Sequence, residues 1–218
     1  MMISPEGFYE MELKGKTPEQ IMTVIRGLKR EIGRLKNIVE HPDYGSREWV
    51  IHPSEKVQIY MNREYLEYAK QALAEAGGIY TPSATERKVM DFEDNISYIS
   101  KIEFSIGGYF GGYENRTYII NGDKIHINKN HCFAPHPYDT EPGENEETDK
   151  EAFLAELGEL HIGEWRKYYD LRKFGCFVLD GTQWHLNIYF SNGRRPVKIY
   201  GDNAYPYNFD RLKDLFDI

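Results

Sequence analysis

Residues 175–209, GCFVLDGTQWHLNIYFSNGRRPVKIYGDNAYPYNF, contain the most regular hydrophobic alternation in the chain. Every second residue from Trp184 to Phe190 is large and apolar, which is typical of a β-strand with one buried face. The pairs Asp180-Gly181 and Asn192-Gly193 favour tight turns in which glycine supplies a positive φ. The stretch therefore predicts successive antiparallel strands over 174–179, 184–190 and 197–200, followed by a helix that Asn208 caps.

A similar arrangement precedes this stretch. Residues 99–108, ISKIEFSIGG, alternate in polarity, and Asn121-Gly122 separates two further strand-like runs in RTYIINGDKIHIN. An Asn-Gly pair between such runs is the strongest short-range hairpin signal, so three antiparallel strands are predicted over 98–107, 114–120 and 124–129. A loop is predicted over 134–149, and Thr148 with Glu151 forms a capping box that begins a helix. The two halves, 96–160 and 161–218, resemble a weak internal duplication.

The N-terminal part of the chain has helical patterns instead. Thr17 and Gln20 form a capping box around Pro18, a residue favoured in the first helical turn. A stripe of apolar residues follows at helical spacing: Ile21, Ile25, Leu28, Ile32, Leu35 and Val39. A short strand is then predicted over 57–60, a second helix from Asn62 to the Gly77-Gly78 pair, and a third helix after Ser83.

These patterns predict an α+β fold. A helical region over 1–95 is followed, over 96–218, by two antiparallel β-meanders, each followed by a helix. At 218 residues the chain has the length of one large domain or two small ones, and a single compact domain remains open.

Composition narrows the class of protein. The chain is 40% hydrophobic and carries a net charge of −8, which predicts a folded protein rather than a disordered one. The N-terminus has no signal-peptide pattern, no apolar run could span a membrane, and only two cysteines are present. We therefore expect a soluble cytoplasmic protein without disulfides, and the acidic balance makes nucleic acid an unfavoured partner.

A resemblance extends over most of the chain. The runs LHIGEW, VLDGTQWHLNIYFSNG and YGDNAYPYNF resemble the C-terminal part of a family of hypothetical proteins from gut Firmicutes and related bacteria. KGKTPEQI, YLEYAKQALAEAGG and FSIGGYFGGYE resemble the same group. The resemblance implies a tryptophan-containing hairpin, an Asn-Ala-Tyr-Pro segment and a terminal helix. It implies no activity and assigns no catalytic residue.

One cluster could support chemistry. His126, His131, Cys132 and His136 fall close together and include metal-ligating and nucleophilic side chains. Their spacing matches no established zinc framework, and adjacent residues on an extended chain point to opposite faces. A metal- or thiol-dependent enzyme is thus an alternative hypothesis, and no cofactor is predicted. The glycine-rich run 107–112 is followed by a strand pattern, which favours a hairpin over a phosphate-binding loop.

Two surfaces could bind a partner. Tyrosine and phenylalanine give large contact areas at low entropic cost, which makes the following residues a candidate ligand or partner surface: Tyr109, Phe110, Tyr113, Tyr205 and Tyr207. The polar side of the first helix is basic, through Arg26, Lys29, Arg30, Arg34 and Lys36.

The sequence therefore predicts an intracellular binding or protein-interaction module without evident catalytic machinery. A nucleic-acid binder that uses the basic helix is the second alternative beside the enzyme. The apolar stripe of the same helix could also join two copies of the chain.

Overall fold

The computed structural model describes residues 3–46, 51–133, 144–176, 178 and 180–218. Its contacts divide the chain into two compact units, Met1–Pro82 and Ser83–Ile218. The α+β class is confirmed, because a helical N-terminal part precedes a sheet with helices. None of the helices within the described ranges is long and apolar enough to cross a membrane.

The regular elements described in the first unit are all helical. They are α1 (Pro5–Phe8), a π-helical turn (Tyr9–Leu13), α2 (Pro18–Val39), a 3₁₀ turn (Pro42–Ser46) and α3 (Glu55–Glu75). Helix α2 begins as predicted, since the Gln20 amide donates to the Thr17 hydroxyl at 3.4 Å and the Gln20 side chain accepts from the Thr17 amide at 2.9 Å. The capping box satisfies two of the backbone donors that a helix start leaves unpaired.

The predicted strand over 57–60 is wrong, and so is the predicted cap at Asn62. Helix α3 begins earlier, where the Ser54 hydroxyl accepts a hydrogen bond from the Val57 amide at 3.4 Å. Ile59 is buried while Val57 is exposed, which fits a helix because a strand would place both on one face. The β propensity of two branched residues is thus outweighed by the cap and by helical burial.

The apolar stripe of α2 lies in the core of its own unit. Ile21, Ile25 and Leu28 are buried together with residues of α3, and the Phe8 and Tyr65 rings stack at 4.3 Å between centroids. The predicted homo-oligomer contact would therefore have to use other residues of this helix.

The second unit is built on one seven-stranded sheet. Its elements are α4 (Ala84–Glu93), β1 (Ile99–Gly108), β2 (Gly112–Asn121), β3 (Lys124–Cys132), β4 (Glu144–Asp149), α5 (Lys150–Glu159), β5 (Tyr168–Asp170), β6 (Gln183–Phe190), β7 (Val197–Asp202) and α6 (Phe209–Leu215). The strand order is β4-β3-β2-β1-β6-β7-β5. Helix α4 belongs here because Phe92 lies in this core, so the boundary falls before the predicted position 95.

The sheet is mostly antiparallel but does not consist of two separate meanders. Strand β5 pairs with β7 in parallel, and β1 pairs with β6, which joins the two predicted halves edge to edge. The first meander also gains β4, which occupies part of the loop predicted over 134–149. The remainder of that predicted loop lies outside the described residues.

The strand predicted over 174–179 is also wrong. Phe174 ends a 3₁₀ turn, Gly175 has a φ of 75°, and Cys176 and Val178 belong to no strand. Phe177 and Leu179, which complete the predicted strand, lie outside the described residues. The Asp170 carboxylate accepts from the Arg172 amide at 2.8 Å, and this cap turns the chain before a strand can form.

Several turn and cap residues act differently from the prediction. Gly181 does not have the positive φ that the predicted turn requires. Glycine is needed there for space, because a Cβ would overlap the side-chain amide of Asn203. The oxygen of that amide accepts a hydrogen bond from the Thr182 amide at 2.8 Å. Helix α5 is capped by Asp149 rather than Thr148. Asn208 occupies the N-cap position before α6, but its side chain donates to the Leu160 carbonyl at 2.8 Å and makes no capping hydrogen bond.

Helices α5 and α6 cover one face of the sheet. The Tyr118 ring lies 5.0 Å from the Phe153 ring and 4.8 Å from the Phe216 ring. The predicted inward alternation of β6 is confirmed, since Trp184, Leu186, Ile188 and Phe190 are all buried in this core. The other face of the central strands carries polar side chains.

Gly201→Ala should destabilise the second unit by about 1–3 kcal/mol. An added Cβ would overlap the indole nitrogen of Trp184. That nitrogen donates to the Ala204 carbonyl at 2.9 Å, and the indole ring must move to avoid the clash, so this hydrogen bond is lost. Urea unfolding followed by tryptophan fluorescence measures the change. Gly158→Ala in α5 is the control, since the nearest atom to its Cβ lies 3.7 Å away. An equal effect of both substitutions would contradict this account.

Candidate functional site

The polar face of the central strands, opposite the face that α5 and α6 cover, forms the candidate site. Ser105 on β1 lies between Asn115 on β2 and His185 on β6, and one pair further along Glu103 lies between Thr117 and Asn187. These side chains share one face because alternate residues of a strand point the same way. We call this set, with Lys101, Tyr189, Lys198 and Tyr200, the polar face. It lines a cavity of about 410 Å³.

The floor of the cavity contains buried groups with unused hydrogen-bonding capacity. Ser105, Asn115 and Asn187 are only 1%, 3% and 4% exposed. The Ser105 hydroxyl and the two amide oxygens have no hydrogen-bond partner within the part of the chain that the structure describes. A buried polar group without a partner costs about 1–3 kcal/mol, so three on one surface are a substantial penalty.

The two amides are nevertheless oriented. The Asn115 amide nitrogen donates to the Tyr113 carbonyl at 3.1 Å and to the Cys132 sulfur at 3.2 Å. The Asn187 amide nitrogen donates to the Glu103 carboxylate at 3.3 Å. Since each nitrogen is held, each oxygen is presented in a defined direction as an acceptor.

Glu103 is the electrostatic centre of the polar face. Burial raises the pKa of this carboxyl, but hydrogen bonds from Lys101, Tyr189 and Asn187 together outweigh burial and hold the pKa below its ordinary value. Burial, and then the hydrogen bond to Glu103 at 2.9 Å, raise the pKa of Tyr189 to about 12. At neutral pH, Glu103 is therefore a carboxylate and Tyr189 a protonated donor.

A serine opposite a histidine invites comparison with a catalytic dyad. A serine nucleophile requires a base that accepts its proton through a hydrogen bond. The Ser105 hydroxyl makes no hydrogen bond to any described residue, so His185 does not accept from it. The Ser105 hydroxyl is therefore not held against a base in this structure.

The structure does not bring the five predicted aromatic residues into one surface. Tyr109 and Phe110 are 80% and 81% exposed at the β1–β2 turn, where their rings meet at 5.2 Å. Tyr113 and Tyr207 are buried, and the Tyr113 hydroxyl donates to Gln183 at 3.2 Å. Tyr205 is half-buried with its ring 4.8 Å from that of Phe209. Only the first two residues form an exposed aromatic pair.

The predicted histidine and cysteine cluster is dispersed. His126 and His131 are five residues apart on β3, about 17 Å along an extended strand. His126 lies 3.4 Å from the Glu147 carboxylate, whereas the His131 ring contacts the Gly111 carbonyl at 2.8 Å. His136 lies outside the described residues. Among the residues described, no three His, Cys, Asp or Glu side chains are placed to hold a metal ion.

The other two predicted features make contacts within the chain. On the basic side of α2, Arg34 pairs with Glu31 through bonds of 2.8 and 2.6 Å, and Lys29 donates to the Tyr80 hydroxyl at 3.2 Å. The glycine-rich run 107–112 forms the β1–β2 turn, as the hairpin interpretation requires, and does not precede a helix.

The polar face is the feature that the sequence interpretation missed. Its signal is present in the positions between the apolar residues: Lys101, Glu103 and Ser105 on β1, and His185, Asn187 and Tyr189 on β6. An alternating strand is normally interpreted as apolar inside and polar in solvent. Burial of Ser105, His185 and Asn187 depends on which strands lie beside them, and strand order is not encoded locally.

Comparison of the chain with protein-family models, with curated proteins and with solved structures finds no match. The resemblance to the bacterial hypothetical proteins thus stays a prediction.

Glu103→Gln should lower the stability of the second unit by about 1 kcal/mol at neutral pH, because charged hydrogen bonds become neutral ones. The folded pKa of Glu103 is lowered, so its contribution is complete above the unfolded value, about 4.3, and is lost as the pH falls through the folded pKa. The gap between wild type and variant should therefore shrink in acid.

Urea unfolding at several pH values measures this gap. Glu156→Gln, an exposed carboxyl on α5, is the matched control and should change little. A gap that widens in acid would refute the assigned role of Glu103.

Proposed function

We propose that this chain is a binding protein that holds a small polyhydroxylated ligand on the polar face. The observation that carries this is the set of three buried groups without partners, Ser105, Asn115 and Asn187, on three adjacent strands. A ligand that supplies their missing hydrogen bonds offsets the penalty of burying them.

The chemistry of the missing partners selects the ligand class. The amide oxygens of Asn115 and Asn187 accept, so each needs a donor, while the Ser105 hydroxyl can donate and accept. Hydroxyl groups on adjacent carbons satisfy both requirements at once. Neighbouring strands lie about 4.8 Å apart, a spacing that lets one ring-sized molecule contact all three side chains.

The surroundings fit a small polar ligand. The cavity volume of about 410 Å³ lies within the range of small-molecule sites. Lys101 and Glu103 form an ion pair within the polar face, so this pair adds no net charge that would demand an ion. The Tyr189 hydroxyl is hydrogen-bonded to Glu103, so its orientation is fixed before a ligand binds. A fixed group loses little conformational entropy on binding, which favours affinity.

A second candidate function is protein binding through Tyr109 and Phe110. Two large apolar side chains with about four fifths of their surface exposed are the kind of anchor that protein interfaces use. The alternatives based on the histidine cluster and the basic helix have less support, because the first is dispersed and the second is partly paired.

The binding proposal predicts that Ser105→Ala raises stability and weakens binding together. Removal of an unsatisfied hydroxyl should stabilise the ligand-free protein by about 1 kcal/mol. The same change should weaken a bound saccharide or polyol about fivefold, because one hydrogen bond is lost.

The experiment is a ligand-observed NMR screen of the full chain against neutral monosaccharides, disaccharides and polyols, followed by titration and thermal unfolding of the variants. Ser100→Ala is the matched control on the same strand: its hydroxyl donates to the Tyr189 carbonyl at 3.3 Å, so its loss should lower stability. If no polyhydroxylated compound binds, or if Ser105→Ala is as destabilising as Ser100→Ala, the proposal is wrong.

A further inference from the structure

A second cavity, with basic walls, lies against α4, β5 and β7. Its volume is about 600 Å³. We call it the basic groove and define it by Lys88, Trp165, Lys167, Arg194, Arg195 and Lys198. Five of these six residues carry positive charge, although the chain as a whole has a net charge of −8. A cleft lined by several positive charges attracts anions.

The positive charge of the basic groove is mostly uncompensated. Asp91 is the acidic residue among its lining residues, and it accepts two hydrogen bonds from Arg194, at 3.0 and 2.6 Å. Lys88, Arg195 and Lys198 take part in no ion pair with the described residues. Lys167 lies over the Tyr168 ring at 5.2 Å, a contact that keeps its charge.

Two residues that line the basic groove carry buried donors without an acceptor among the described residues. Trp165 is only 4% exposed, and its indole nitrogen has no hydrogen-bond partner in the described part of the chain. One terminal nitrogen of Arg194 is likewise buried and unpartnered there. Both groups can only donate hydrogen bonds, so a ligand that satisfies them must carry acceptor atoms.

Arg194 is held in place for such a partner. Its other nitrogens bond to Asp91, and its guanidinium group lies 4.5 Å from the centre of the Phe190 ring. A guanidinium fixed by packing and a carboxylate loses little freedom when an anion binds.

We infer that the basic groove binds the phosphate group of a small phosphorylated molecule. Phosphate has several acceptor oxygens and up to two negative charges, enough for the donors of Trp165 and Arg194 and for the surrounding lysines at the same time. A volume of about 600 Å³ exceeds the space that one phosphate fills and leaves room for an organic part. The stacked rings of Tyr168 and Tyr200, 5.8 Å apart, are available to that part.

The test is a titration of the full chain with inorganic phosphate, pyrophosphate, ribose 5-phosphate and adenosine monophosphate, at ionic strength matched with sodium chloride. Calorimetry and tryptophan fluorescence report binding. The inference predicts saturable binding of at least one organic phosphate and no binding of its unphosphorylated parent. Higher salt should weaken the interaction.

Trp165→Phe removes the indole N–H and keeps one aromatic ring, but it also leaves a small cavity where the larger indole was buried. It should weaken phosphate binding about tenfold and lower the stability of the ligand-free protein, and thermal unfolding measures that loss separately. A second variant, Lys88→Gln with Arg195→Gln, removes two exposed charges and should weaken binding by a similar factor. Arg211→Gln with Lys213→Gln on α6 removes equal charge outside the basic groove and should leave affinity unchanged.

Three results would overturn the inference. They are no saturable binding of any phosphate probe up to about 10 mM, equal weakening by the groove and control double variants, and preferential binding of a single-stranded oligonucleotide over every small phosphate. The neutral saccharides of the previous test do not probe this groove. A failure here leaves the polar-face proposal standing, and the reverse also holds.

Discussion

Strands β1 and β6 meet at the centre of the sheet, and their register determines both faces of the second unit. Ile102 pairs with Ile188 and Phe104 with Leu186 on the side that α5 and α6 cover. The intervening pair of Glu103 with Asn187 and the next pair of Ser105 with His185 lie on the other side. Because the side-chain period of a strand is two, a slip of one residue would exchange the two sets and place serine and histidine in the apolar core. Burial of the isoleucines therefore also positions the polar face.

The two faces of this sheet have opposite energetic roles. The apolar face buries large side chains against the helices and supplies the driving force for folding. The polar face keeps buried hydrogen-bonding groups that no described residue satisfies, which opposes folding. Such a penalty is tolerated where the surrounding packing is strong, and it is typical of sites that are completed by a ligand. Stability and the proposed recognition of a ligand thus depend on alternate residues of the same strands.

The polar face and the basic groove meet along β7. Lys198 and Tyr200 line both cavities, and the residues that distinguish the two come from different elements. The polar face uses neighbouring strands at the sheet centre, where amides and hydroxyls are held by register. The basic groove uses α4, the turn before β7 and the segment around β5, where long cationic side chains project from several directions. The first arrangement suits a neutral ligand and the second an anion.

Local sequence patterns were sufficient for elements that local contacts stabilise. The capping box of Thr17, the turn after Asn121 and the inward alternation from Trp184 each depend on residues close in the chain, and each formed as predicted. The missed strands depend on distant partners: β4 and β5 are strands only because they pair with β3 and β7. The propensities of their own residues were too weak to indicate this. The strands wrongly predicted over 57–60 and 174–179 have a local cause, since the caps at Ser54 and Asp170 were not recognised.

The same division applies to the candidate sites. The sequence by itself determined that polar residues alternate with apolar ones along β1 and β6. It contained no information that these two strands would be neighbours, although they are far apart in the chain. Only the tertiary structure decided that Ser105 would face His185 in a buried cavity, and that Trp165 and Arg194 would line one basic groove. The physical reason is that strand pairing and burial depend on contacts between distant segments, whereas caps, turns and periodicity depend on neighbours.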